Sequence, residues 1–357
     1  MKVGLLTLYG NSNFGNRLQN YAVQQIVNNY ADSVDTIIWD EVPIKTKISL
    51  RIKKRFGIEY LDAFDKKKRE IFDLFNEGYI HTRKVKKRFN SISRRIDKQY
   101  DFFIVGSDQV WNPEIRKTDK EIYFLRFCKR SKRIPFSPSI GITSIPNEDR
   151  EWFKDYVSDF PVLSCREDVG CRLIADITGK ECEHLIDPTL VLDRQTWLEF
   201  SAPIEIPQKY VLLCMLGNTS KEVHDEIYNY SKTNDMEIID IFDKRSHYFS
   251  ISPQNFVYLI ANSSLVITDS YHACAFSINM KVPFVALDRC DELNSADNHT
   301  LSRIFSILQL FHLEDNFVSQ NSFKLDEPKV DDQIIDAVLE VERIRVKKYL
   351  EKCFGIK

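Results

Sequence analysis

Short apolar or β-branched runs alternate with helix-period stretches along nearly all of this 357-residue chain, and that alternation restricts the fold more than any other feature. Val3–Leu8, Val34–Trp39, Phe102–Val105 and Val162–Ser164 read as strands, with helix patterns over 18–28 and 148–156 and a further helix start at 168–174. A second series opens at residue 210: strands at 210–216, 237–241, 265–268 and 284–287, with helices at 221–233, 254–262 and 274–280 between them. Strands separated by helices of 10–15 residues call for parallel sheets covered on both faces, and right-handed crossovers make each half Rossmann-like. The length exceeds what one ordinary core fills. The expectation is therefore α/β with two Rossmann-like domains facing a central cleft. Domain one is expected over 1–200, with a basic helical insertion at about 45–98, and domain two over 201–329. The polar segment 193–208, with Pro203 and Pro207, marks the boundary. A helix over 330–357 is expected to pack back on the first domain.

In open parallel sheets, ligands collect beyond the carboxyl ends of the strands. Four strand ends carry polar clusters: Gly10–Asn16, Gly106-Ser107-Asp108, Ser164–Glu167 and Thr268–His272. The first is rich in Gly and Asn and opens a helix, a place where backbone amides can approach an anion. It is neither a dinucleotide fingerprint nor a phosphate loop of the Walker type, and as a bare turn it needs no ligand. Asn11, Asn13, Gly15 and Asn16 from it, with Gly106, Ser107, Asp108 and Gln109, are the candidates for lining the cleft or touching an acceptor.

Two cationic residues at strand ends bear on chemistry. Arg166 can grip a carboxylate or phosphate with its planar fork, or simply pair with its neighbours Glu167 and Asp168. His272 sits at the opening of a helix, where the macrodipole disfavours the imidazolium. A neutral imidazole there can be driven back towards the cation by an anionic ligand and act as an acid; the plain reading is a structural histidine. The other six histidines lack such a setting. Neither a nucleophile elbow nor a zinc-protease helix is present, and the eight scattered cysteines suit neither a disulfide framework nor a zinc site.

Charge and hydropathy narrow the partners. No apolar run approaches a membrane span, and the N-terminus reads as a first strand rather than a signal peptide, so a cytoplasmic protein with reduced thiols is expected. The net charge of −2 hides a basic stretch: between Lys45 and Lys98 there are 18 Lys/Arg against seven Asp/Glu, a balance of +11, against −13 elsewhere. A solvated helical surface is one reading. Contact with an anionic leaflet or a pyrophosphate-bearing substrate is the other. No nucleic-acid motif accompanies the charge.

These segments resemble the polysaccharide pyruvyl transferases. NFGNRLQNYAVQQIV resembles their opening helix, and VGSDQVWNP the most distinctive of their motifs. SCREDVG, LIDPTLVLD and ANSSLVITDSYHACAFSINMKVPFVAL match further segments, so the likeness runs from Met1 to about Leu313. The resemblance implies a fold like the two-domain (GT-B-like) glycosyltransferases. It also implies transfer of the pyruvyl group of phosphoenolpyruvate, a co-substrate, onto a sugar in surface or capsular polysaccharide synthesis. No resident cofactor or metal is expected. The resemblance puts His272 and Arg166 in catalysis and in binding phosphoenolpyruvate, and Ser270, Tyr271 and Arg289 are further candidates for that binding. Ser270 stands where many relatives have arginine, which makes Arg289 and Arg303 candidates for the missing cation. Galactose with a 4,6-ketal on a lipid-linked oligosaccharide is the expected acceptor, at the inner face of the membrane. A nucleotide-sugar glycosyltransferase of the same architecture and a non-catalytic carbohydrate-binding homologue are the competing readings.

Overall fold

Runs such as FFIV, LVIT and FVAL have no polar face to turn to water, so they are stable only in a sheet covered on both sides. The computed structural model describes residues 1–10, 12–39, 62–88, 91–116, 118–289, 299–326, 328 and 330–356. In it those runs are inner strands of two five-stranded sheets, each parallel throughout. The first sheet runs in the order Thr82–Lys84, Ser33–Ile38, Lys2–Leu6, Phe102–Val105, Arg133–Pro135. The second runs Glu237–Asp240, Tyr210–Cys214, Leu265–Thr268, Phe284–Leu287, Phe317–Val318. Each is a Rossmann-like unit.

The helices between them start where the sequence supplies caps. Asn13 caps Phe14–Val27 through its Oδ1, which accepts from Asn16 N at 3.0 Å. Ser252 and Asn255 form a reciprocal capping box for Pro253–Asn262, with proline at the first turn. The helix Tyr271–Met280 is buried along its whole length, which explains its lack of amphipathic period.

The two units meet along an apolar seam. Phe14 stacks on Phe256 with centroids 4.7 Å apart and planes at 5°, and Trp197 meets Phe276 edge-on at 4.9 Å. The helix Asp332–Phe354 lies against elements of the first half: Tyr349 donates to the Pro135 carbonyl at 2.6 Å, and Phe354 packs on Tyr30 and Phe102.

The basic stretch differs from a plain helical insertion. Its helix, Ala63–Tyr79, leads into Thr82–Lys84, which is the edge strand of the first sheet. Those three residues are polar and exposed, so neither apolarity nor alternation marks them. Residues 45–61 of the stretch lie outside the described residues. Phe64, Ile71, Leu74 and Phe75 recur at helical spacing and could form one apolar face. Instead Phe64 and Leu74 are 51% and 67% exposed, and the buried stripe is Lys68, Phe72, Phe75 and Asn76. Both stripes obey the helical period; the partner surface selects between their phases.

Candidate active site

Strand order places the crevices. In the first sheet the order reverses between Lys2–Leu6 and Phe102–Val105, and in the second between Tyr210–Cys214 and Leu265–Thr268. Loops leaving those strands diverge and open a ligand crevice. Ser12–Gly15 from the first unit and Cys214, Leu216, Phe242, Phe256, Ser270 and His272 from the second line one cleft between the two.

At its base, Arg166, Asp187 and His272 converge. Arg166 Nη1 donates to Asp187 Oδ2 at 2.8 Å, and His272 Nε2 stands 3.7 Å from the same oxygen. Asp187 caps a short helix, its Oδ1 accepting from the amide and hydroxyl of Thr189. Ser107 Oγ lies 2.9 Å from Asp187 Oδ2 and from the Ser137 carbonyl, so its one proton is shared between them. The Arg166 guanidinium rests over the Tyr271 ring at 4.1 Å, with Glu167 at 3.6 Å and Asp108 at 4.0 Å. Asp108 accepts from Asn16 Nδ2, which ties the first loop to the second. Three carboxylates thus surround one arginine, yet among the described residues four buried nitrogens here have no hydrogen-bond partner: Arg166 Nε and Nη2, His272 Nε2 and Arg303 Nε. Buried donors left in this way are rare and point to a ligand that supplies acceptor oxygens.

Two glycines are required by close approach. A Cβ on Gly106, whose φ is +118°, would lie 2.2 Å from the Phe136 carbonyl oxygen. A Cβ on Gly15 would lie 2.2 Å from His272 Nδ1, so the imidazole rests directly on the backbone of the first loop. Gly15→Ala should displace that ring. A misplacement of this size costs about 10²-fold in rate. Steady-state kinetics should show the loss in kcat with melting temperature nearly unchanged; an unaffected kcat would show that the ring's position does not matter.

The charges set the protonation states. Burial pushes His272 below its ordinary value, over the opposing pull of Asp187 and Asp108, so the resting imidazole is neutral at pH 7. Burial works against the Asp187 carboxylate, but His272 and Arg166 outweigh it and hold it below the usual range. Burial disfavours the Arg166 charge too, yet Tyr271, Asp187 and Glu167 raise it overall. Arg303 has no carboxylate partner among the described residues, and burial, then Arg166, lowers it to about 10.

The remaining expected residues divide. Ser270 stands at the N-cap position of the histidine-bearing helix, without a side-chain capping bond, and lines the cleft. Gln109 turns away and packs on Gly141. Arg289 is bound to the buried Asp269 at 3.0 Å, a carboxylate that also accepts the Leu216 and Gly217 amides. Its charge is therefore matched within the protein, whereas Arg303 Nε has no hydrogen-bond partner among the described residues. Asn11 lies outside the described residues. The sequence reading did not single out Asp187, although the LIDPTLVLD segment contained the signal, an Asp-Pro-Thr helix cap. Trp111 of the VGSDQVWNP segment is fully buried, stacked on Phe124, and serves the core. Among the described residues, the cysteines are free thiols, no His/Cys/Asp/Glu group is placed to hold a metal ion, and no helix is long and apolar enough to cross a membrane.

Two Rossmann-like domains meeting at their switch points define the class, a two-domain α/β protein. Solved structures with a similar course include the UDP-N-acetylglucosamine 2-epimerase of Rickettsia bellii, at 12% identity and TM-score 0.46, with both chains covered fully. The Neisseria meningitidis UDP-GlcNAc 2-epimerase is similar at 13% and 0.43, over 97% of this chain and 100% of that one. An E. coli heptosyltransferase is similar at 8% and 0.38, over 87% and 98%. Comparison with curated proteins gave no match. The chain belongs to the polysaccharide pyruvyl transferase family, whose sequence model matches residues 13–291.

Proposed function

We propose that this protein transfers the pyruvyl group of phosphoenolpyruvate onto two hydroxyls of a sugar as a cyclic ketal, with His272 as general acid. The observation that carries this reading is the group of buried nitrogens on Arg166, Arg303 and His272 that lack a partner among the described residues. A small trianion bearing both a carboxylate and a phosphate suits two guanidinium groups and an imidazole at a helix N-terminus.

Proton transfer from His272 to the methylene carbon leaves an oxocarbenium-like centre at C2, which one sugar hydroxyl attacks. The second hydroxyl then displaces phosphate. Of the two hydroxyl protons released, one restores His272 and the other leaves with phosphate, so the enzyme returns unchanged. Asp187 faces the imidazole and favours its cation, while Arg166 and Arg303 hold the donor's anionic groups. Galactose with a 4,6-linkage on a lipid-linked oligosaccharide is our acceptor assignment, serving surface polysaccharide synthesis. The exposed Lys66, Lys67 and Arg69 give such a carrier's anionic membrane a surface to meet.

Incubation with phosphoenolpyruvate and a panel of galactosides, mannosides and N-acetylhexosaminides tests the reading. Acceptor-dependent phosphate release with a ketal product is expected. Failure to release phosphate with every acceptor, in protein that also does not bind phosphoenolpyruvate, would end the assignment.

The pH profiles follow from the site's charges. In the free protein burial holds His272 low, so the acid form fades as pH rises through a value below the ordinary 6.5. Bound phosphoenolpyruvate adds negative charge beside the ring and favours the imidazolium. The high-pH limb of kcat, which reports the complex, should therefore lie above that of kcat/KM, which reports free enzyme. Coincident limbs would count against His272 as the acid.

A further inference from the structure

The buried stripe of the helix Ala63–Tyr79 contains a lysine. Lys68 is 5% exposed, whereas Lys66, Lys67 and Arg69 around it are exposed. Its Nζ stands 4.4 Å from the ring centre of Phe249, 4.9 Å from Phe242 and 5.1 Å from Phe14. Asp65, one turn earlier, is already engaged by Lys244 at 2.6 Å, as is Asp62. Among the described residues nothing accepts a hydrogen bond from Lys68.

Aromatic faces attract an ammonium but give its three N–H donors nothing to bond. A leucine or methionine would fill the same cage without desolvating a charge, so packing does not account for a lysine here. Phe14 and Phe242, two of the three rings, also line the cleft that contains His272. Besides burial, Cys214, Asp65 and Lys244 are the groups that act most on Lys68. The cleft thus has two separate cationic places, one at Arg166 and Arg303 and one at the Lys68 ammonium behind its aromatic wall.

We propose that Lys68 binds an anionic group, phosphate or carboxylate, carried by the acceptor sugar while the sugar ring lies against Phe14 and Phe242. This rests on the reading of the cleft as a pyruvyl transferase site and assigns its acceptor class: a sugar phosphate, including one linked to a lipid carrier, or a uronic acid. Burial pushes the ammonium down to about 8. A lowered value means the cation is present below it and lost above it, so the preference for an anionic acceptor should be full at pH 7 and fade by pH 9.5.

Titration calorimetry at pH 7, without phosphoenolpyruvate, tests the assignment with galactose 1-phosphate, galacturonic acid and methyl galactoside as probes. At least one anionic probe should bind the unaltered protein 10-fold or more tighter than methyl galactoside, and which one does so separates phosphate from carboxylate. Lys68→Met, which fills the cage without a charge, should erase that preference, and Arg303→Gln should keep it. The unaltered protein should itself lose the preference between pH 7 and pH 9.5, a readout that stands even if Lys68→Met fails to fold. Equal binding of the three probes, no binding of any, a preference surviving in Lys68→Met, or one lost in Arg303→Gln overturns the proposal. Phosphate release from phosphoenolpyruvate without any anionic preference would keep the donor reading and remove this one.

Discussion

Replacing His272 by alanine should abolish ketal formation while leaving the fold intact, with rates falling on the order of 10²–10⁴-fold, the usual loss for a general acid. The site gives reasons for both halves of that result. Among the described residues His272 Nε2 makes no hydrogen bond, and it stands 3.7 Å from Asp187, beyond bonding distance. Asp187 keeps Arg166, Ser107 and Thr189 when the ring is removed. Removing the imidazole also has a predictable effect on stability. Its folded-state pKa is lowered, so as pH falls through the unfolded value near 6.5 the unfolded chain binds the proton more readily and stability declines. His272→Ala should lack that part of the decline. Phosphate release, product analysis and melting curves at pH 7 and pH 5 would check both points. Transfer within a factor of two of the unaltered protein, in a folded variant, would remove His272 from catalysis.

Arg166→Ala should have the other large effect, on donor binding and on the fold together. The side chain is fully buried among Asp187, Glu167 and Asp108 and covers the Tyr271 ring. Removing one partner of a buried charge cluster costs about 3–5 kcal/mol, because the carboxylates stay behind uncompensated. A clear fall in melting temperature is therefore expected. Donor affinity is better read in Arg166→Lys, which keeps the charge but loses the fork. Loss of a charge-assisted hydrogen bond is worth about 1.5–3 kcal/mol, or roughly 10–10²-fold in the dissociation constant of phosphoenolpyruvate. Acceptor affinity should change little. Unchanged donor affinity in a folded Arg166→Lys protein would return the residue to a purely structural part.

Much of the architecture was legible because its signals are local. The helix Lys221–Thr233 and the strands Leu265–Thr268 and Phe284–Leu287 fall where apolar runs and turn residues put them. The polar strand ends followed from topology alone, since parallel strands deliver every carboxyl-end loop to one side. Thr82–Lys84 was illegible for the opposite reason: an exposed edge strand of polar residues takes its structure from the neighbour it pairs with. The same holds for the Ala63–Tyr79 helix, whose buried stripe was decided by aromatic rings far away in the sequence.

By itself the sequence determined the class of fold, the two series of strands and helices, the family likeness and the strand ends where ligands gather, because periodicity and turn chemistry act over a few residues. Only the tertiary structure decided which charges remain unmatched. Arg289 and Arg303 read alike along the chain, yet folding gives one of them Asp269 and leaves the other a buried Nε with no partner among the described residues. Asp187 likewise became the anchor of Arg166 and His272 only once residues 21 and 85 positions away were brought to it. Pairing and desolvation depend on distances in space, which a linear pattern does not carry.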